Sequence, residues 1–243
     1  AARDHTCAIF TLNGPTTPPR VSSLWCWGSN ADGQLGQGHT MDDWSPVEVS
    51  LGGVEPLAVA TGRYHTCAIL ANGTAYCWGD GGDGKLGDGG TQDHLSPTLV
   101  DLPAGSAPVA IAAGDQHTCA MLRNGSIACW GDGGVGQLGD GDTGDHSSPT
   151  WVDLGSERTA VSISAGLDHT CAVLDDATLS CWGSNYNDQL GHSGSSVTHT
   201  PQQVDTDFYS GYSSDWGVLI SAGGSEHTCA ILDTGRMQCW GQG

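Results

Sequence analysis

The chain has 243 residues, with 27 acidic side chains against 7 basic ones, and its net charge of −20 argues against a phosphate backbone as partner. Thirty-eight glycines and ten prolines leave no window with a clean helical period, and no apolar run approaches the length of a spanning helix, so neither a helical domain nor membrane insertion is expected. Ten cysteines point to an oxidising compartment.

Taken in order, residues 1–28 hold a first hairpin. It opens with His5-Thr6-Cys7-Ala8 and closes with Cys26-Trp27-Gly28, around a long, proline-bearing excursion. The short strand that precedes every later hairpin has no counterpart here. A Gly-Asp-Asn loop follows and ends in the step Gln34-Leu35-Gly36; a polar stretch then runs to Pro46, which is expected to open an extended segment. The same succession returns three times, with Lys85-Leu86-Gly87 and Pro97, Gln137-Leu138-Gly139 and Pro149, and Gln189-Leu190-Gly191 and Pro201. The leading cysteines of the five His-Thr-Cys-Ala signatures are 60, 52, 52 and 58 residues apart, which is the spacing of a tandem repeat.

The second hairpin, at 65–79, can be folded from its spacing alone. A three-residue loop Ala71-Asn72-Gly73 sets Leu70 opposite Thr74, Ile69 opposite Ala75 and Cys67 opposite Cys77, with Gly73 supplying the left-handed residue that such a loop requires. Facing cysteines on an antiparallel pair lie within bonding reach. Cross-strand disulfides are therefore expected at Cys7 and Cys26, Cys67 and Cys77, Cys119 and Cys129, Cys171 and Cys181, and Cys229 and Cys239. Each loop of ten residues closed in this way stabilises its unit by about 2.7 kcal/mol on a chain-entropy estimate. The competing reading makes His65, Cys67 and Cys77 three zinc ligands, but no fourth ligand recurs at a fixed distance. The hairpins at 117–131 and 227–241 repeat the turn, whereas at 169–183 Asp175-Asp176-Ala177 puts alanine at the left-handed position, where strain or another loop is expected.

About four short strands per unit of about 50 residues read as an all-β β-propeller, a single repeat domain over 1–243 with five units present. The hairpin strands are small or apolar on both faces, as blades packed face to face require.

The unit Ala-Gly-x-x-His-Thr-Cys-Ala-x-Leu-x-x-Gly-x-x-x-Cys-Trp-Gly-x-x-x-x-Gly-Gln-Leu-Gly-x-Gly, read at 113–141, resembles the regulator of chromosome condensation repeat, and the likeness covers essentially the whole chain. The resemblance implies a propeller, usually of seven blades, and the paired cysteines look like those of its extracellular members. Five hairpins are too few for such a ring, so the expectation is a segment of a longer chain, with assembly of copies as the second explanation.

Candidate chemistry is sparse. Five histidines in register imply structure, since a catalytic group occurs once per site, and Trp27, Trp78, Trp130, Trp182 and Trp240 read as core residues and not as light sensors. Asp80, Asp83, Asp88, Asp132, Asp140, Asp142 and Asp145 lie in glycine-rich loops that could wrap calcium, although Asp-Gly pairs are ordinary turn formers. His94 and His146, each three residues before a proline, read as turn residues. Asn72 and Asn124 begin N-glycosylation sequons at hairpin tips. Residues 205–216 concentrate Phe208, Tyr209, Tyr212 and Trp216 and form either a cap or a contact loop. The functional expectation is a non-enzymatic, extracellular or cell-surface module that binds protein, including copies of itself, through rims and blade faces, with no resident cofactor unless calcium. The competitors are a ligand-binding receptor ectodomain or secreted inhibitor, and a nucleotide-exchange factor, which the negative charge disfavours.

Overall fold

The computed structural model describes residues 4–12, 21–155, 158–204, 217–222, 226–232 and 235–242. Its strands fall into five antiparallel sheets, one per repeat. The first comprises β1 (His5–Leu12), β2 (Val21–Gly28) and β3 (Asp43–Glu48). The second runs β4 (Pro56–Thr61), β5 (His65–Leu70), β6 (Ala75–Gly79) and β7 (His94–Leu99), and the third β8 (Pro108–Ala113), β9 (His117–Leu122), β10 (Ile127–Gly131) and β11 (His146–Trp151). The fourth contains β12 (Ala160–Ala165), β13 (His169–Leu174), β14 (Leu179–Ser184) and β15 (Val197–Gln203), and the fifth β16 (Gly217–Ala222), β17 (His227–Leu232) and β18 (Met237–Gly241). Within each sheet the strands follow sequence order, so each blade is a meander. Successive blades meet through their leading strands, β4 on β8, β8 on β12 and β12 on β16. The sheets form consecutive propeller blades, and among the described residues they do not close into a ring.

The hairpins have the register that the loop length dictates, with Ile69 opposite Ala75 and Cys67 opposite Cys77. Gly73 and Gly125 take φ of 81° and 80°. Ala177 takes φ of 63°, so the fourth hairpin keeps the common loop and its alanine bears the left-handed strain. The Asp176 carboxylate helps to hold it there by accepting from the Thr178 amide at 3.0 Å and hydroxyl at 2.6 Å.

One boundary differs from the sequence reading. The outer strands β3, β7 and β11 begin three residues before their prolines and β15 four, so His94 and His146 head β7 and β11 instead of sitting in turns. Pro97 and Pro149 are tolerated inside these strands because the ladder shifts register there, between Cys77 and Gly79 and between Cys129 and Gly131, and because an outer strand has an edge that needs no donor.

The core lies between blades. The face of the second blade that carries Cys67, Cys77, Leu86 and Val100 packs on Ala120 and Trp130 of the third. The first blade presents Cys7, Cys26, Leu24 and Leu35 to Ala68, Leu70 and Trp78 of the second in the same manner. A disulfide face thus meets a tryptophan face at every joint. This is why β5, β9 and β13 are buried along their whole length.

Candidate functional site: inter-blade joints and the surfaces they leave open

All ten cysteines are bonded in adjacent-strand pairs, Cys7–Cys26, Cys67–Cys77, Cys119–Cys129, Cys171–Cys181 and Cys229–Cys239. The zinc set drawn from His65, Cys67 and Cys77 is therefore not available: its sulfurs are bonded to each other, and the imidazole turns to the next blade.

There His65 Nε2 lies 2.8 Å from Thr118 Oγ1, and His5, His117 and His169 repeat the contact at 2.8 Å with Thr66, Thr170 and Thr228. Each threonine hydroxyl in turn donates to a backbone carbonyl of the preceding blade: Thr66 to Gln34, Thr118 to Lys85, Thr170 to Gln137 and Thr228 to Gln189, at 2.8–2.9 Å. The indole N–H groups of Trp78, Trp130, Trp182 and Trp240 donate to those same four oxygens at 2.9–3.0 Å. A hydroxyl has one proton, already given to the carbonyl, so it accepts from the histidine. This fixes a proton on Nε2. The four Nδ1 atoms are buried without partners. Burial holds these rings far below the ordinary pKa of 6.5, at about 3 for His65 and His117 and about 4 for His5 and His169.

Two recurring glycines make room for the joint. At Gly87, with φ of 72°, a Cβ would lie 2.6 Å from Trp130 Nε1, and at Gly62 it would overlap the His65 ring. Lys85, the chain's single lysine, stands where the other units have glutamine. Only its carbonyl is needed by the joint, and its buried ammonium donates to Asp80 Oδ2 at 2.6 Å. Burial alone would raise the Asp80 pKa, but hydrogen bonds from Lys85 and the Gly82 amide bring it below the ordinary value.

The remaining candidates disperse. Asp132 and Asp145 accept from the amides of Gly134 and Gly133 and close their loop, while Asp83 occupies a left-handed turn position at φ of 58°. Asp88 pairs with His94 at 2.8 Å. Asp140, Asp142 and His146 alone among the described residues bring three such ligand atoms within 4.8 Å of one another. Asp168 sits at a crowded acidic spot, pushed up to about 6 first by burial and then by Asp115, Asp132 and Glu226. Asn72 and Asn124 are exposed at their hairpin tips. Phe208, Tyr209, Tyr212 and Trp216 lie outside the described residues.

The sequence leads to exposed blade faces as binding surfaces without naming the residues that line one. On the first blade, the face equivalent to the tryptophan side of every joint is uncovered in the described chain. Phe10 is 46% exposed there, Thr6, Trp25 and Trp27 are only partly buried, and Phe10 meets Trp25 edge to face at 6.4 Å. The signal was available: Trp25 and Trp27 alternate with Cys26, so they must point away from the disulfide face.

The regulator of chromosome condensation (RCC1) repeat matches residues 22–69, 72–121 and 124–173, and a second form of it matches 57–85, 109–137, 160–189 and 218–243. The ultraviolet-B receptor UVR8 of Arabidopsis thaliana is 32% identical over 244 residues, covering 100% of this chain and 52% of the receptor. The human E3 ubiquitin-protein ligase HERC2 is 31% identical over 221 residues, 90% of this chain and 4% of the ligase. The chain thus spans about half the length of the receptor and a small part of the ligase. Among solved structures, yeast RCC1 (Prp20) bound to Kap60 is similar with a TM-score of 0.78 at 19% identity, covering 98% of this chain and 54% of that one. Human WBSCR16 is similar with a TM-score of 0.77 at 22% identity, covering 95% and 56%. Both likenesses show the fold.

Proposed function

The chain belongs to the regulator of chromosome condensation repeat family, and on that premise we propose that it is a non-enzymatic protein-interaction module of an oxidising, extracellular setting, which assembles with copies of itself through exposed blade faces. The blade-to-blade joint carries this reading, because it is complementary between units: a disulfide face with its histidine meets a tryptophan face with its threonine. On the first blade Thr6 and Trp27 hold the hydroxyl and indole that bind an imidazole and a carbonyl at every joint, and among the described residues neither has such a partner. A blade of the same repeat supplies that chemistry, and an aromatic surface of Phe10, Trp25 and Trp27 supplies apolar area to bury.

The non-enzymatic reading is supported by the use to which the repeated histidines are put. Four of them are sealed inside joints as neutral donors and offer no substrate a reactive nitrogen. Five disulfides, four of them buried, support the extracellular setting, because reducing cytosol disfavours such bonds. The exposed amides of Asn72 and Asn124 are accessible to a glycan.

Light scattering of the native protein across concentration tests the assembly. Concentration-dependent association is expected for the wild type, together with a monomeric Trp27→Glu variant. A monodisperse wild-type monomer at every concentration overturns it. Finding free thiols in protein taken from its native source overturns the extracellular setting.

A further inference from the structure

The third unit differs from the second at two points in the loop that precedes its outer strand, where Asp142 and Gly144 stand in place of Gly90 and Gln92. Residues 88–94 read Asp88-Gly89-Gly90-Thr91-Gln92-Asp93-His94, whereas residues 140–146 read Asp140-Gly141-Asp142-Thr143-Gly144-Asp145-His146. The two loops are built alike. Asp93 and Asp145 accept from Gly81 and Gly133 amides, and Gly89 and Gly141 donate to carbonyls of the next blade, Ser147 and His199, at 2.9 Å. In the second unit the result is a lone pair, Asp88 Oδ2 and His94 Nε2 at 2.8 Å. In the third, Asp142 takes the place of Gly90, and a second carboxylate joins the imidazole.

We propose that Asp140, Asp142 and His146 form a binding site for a divalent transition cation of the zinc class. His146 Nε2 lies 3.0 Å from Asp140 Oδ2 and 3.7 Å from Asp142 Oδ1. A tetrahedral ion at about 2.0–2.2 Å from each ligand sets neighbouring ligand atoms about 3.3–3.5 Å apart, between the two observed separations. An independent observation concerns the imidazole itself. Its Nε2 is sealed from solvent and faces both carboxylates without an aligned hydrogen bond among the described residues, a buried polar atom that a metal held between the three groups would satisfy. The ligands are also held in place. His146 is fixed by the ladder opposite Gly131, the Asp140 side chain is 8% exposed, and the Asp142 carboxylate is steadied by the Gly144 amide at 2.7 Å. Asp142 is 64% exposed, which leaves the outer side of the site open to water or to a ligand from a partner.

Ligand chemistry selects the ion. One imidazole and two carboxylates suit zinc, while calcium takes six or more oxygens and gains little from a ring nitrogen. Thiolates do not compete, since every cysteine is bonded. The chain's net charge of −20 concentrates cations at its surface. In the first unit Gln37 and Asp43 occupy the places of Asp140 and His146, so no imidazole is offered at that position.

The test is calorimetric titration of the intact, untagged, disulfide-bonded protein with Zn²⁺ in a buffer that does not chelate it, with Co²⁺ absorption as a second readout of coordination. One saturable site is expected, weakened at least 10-fold by His146→Ala or Asp142→Gly and unchanged by His94→Ala. Gly90→Asp is expected to add a second site. Near-UV circular dichroism of the buried tryptophans verifies that each variant is folded; Asp142 is exposed, and glycine already stands at the equivalent position 90. Absence of saturable binding, equal loss on His94→Ala, or full affinity in folded Asp142→Gly overturns the proposal.

Discussion

Thr118 and Thr6 occupy the same place in the repeat, as do Trp130 and Trp27, yet their surroundings differ. At the joint between the second and third blades, Thr118 and Trp130 are fully buried and share the Lys85 carbonyl, with His65 donating to the threonine. On the first blade, Thr6 and Trp27 face no blade of the described chain and are only partly buried. What differs is the neighbour and not the residue. In a repeat protein the energetic weight of a side chain is set by the interface it enters, so identical positions need not be equivalent.

The largest effect on that contrast comes from acid. The four joint histidines have folded pKa values of about 3 to 4 against 6.5 when unfolded. The unfolded chain therefore takes up protons first, and the stability the neutral rings contribute is complete above pH 6.5 and lost as pH falls towards the folded values. Between pH 6.5 and 4.5 the loss is about 2 kcal/mol for each ring. Asp168 works in the opposite direction: its pKa is raised to about 6, so its protonation adds stability below that pH. Urea denaturation at pH 7 and pH 4.5, with disulfides intact, is expected to show a large net fall in midpoint. An unchanged midpoint contradicts buried, neutral histidines.

Truncation isolates the two regions. Trp130→Ala removes a fully buried indole and is expected to cost about 3–5 kcal/mol, whereas Trp27→Ala in monomeric protein costs less than about 1 kcal/mol. Thermal melts of the two variants measure the gap, and equal losses would erase the distinction between joint and open face. A smaller step is Thr118→Val, which strands the His65 donor and removes one bond to the Lys85 carbonyl, at about 2–3 kcal/mol. Thr6→Val is the matched control and is expected to shift the melting temperature little. Smallest is Ala177→Gly, away from both faces, which relieves the left-handed alanine and is expected to stabilise by about 1 kcal/mol. A lower melting temperature for that variant would mean that the loop is not strained.

Much of this was legible before the structure. Three-residue loops and cysteine spacing dictate the hairpin register, and the repeat period dictates the blades. The joints were not legible, because His65 and Thr118 lie 53 residues apart and each looks like an ordinary buried residue of its own unit. A trace was present nonetheless. Lysine replaces glutamine at position 85 while Leu86-Gly87 persists, as expected if only the backbone oxygen matters. His94 and His146 read as turn residues only if each proline begins its strand, whereas an edge strand with a register shift admits proline internally. Once His146 heads a strand, Asp142 four residues earlier falls beside it.

The claim beneath all of this is that an imidazole of one blade gives its Nε2 proton to a threonine of the next, which passes its own proton to a carbonyl already held by tryptophan. Imidazole nitrogen-15 spectroscopy on the native protein tests that claim directly, because it distinguishes the two ring nitrogens. Four histidines are expected to carry a proton on Nε2 and a bare Nδ1, unchanged down to about pH 4.5. Rings protonated on Nδ1, or titrating near pH 6.5, would contradict it.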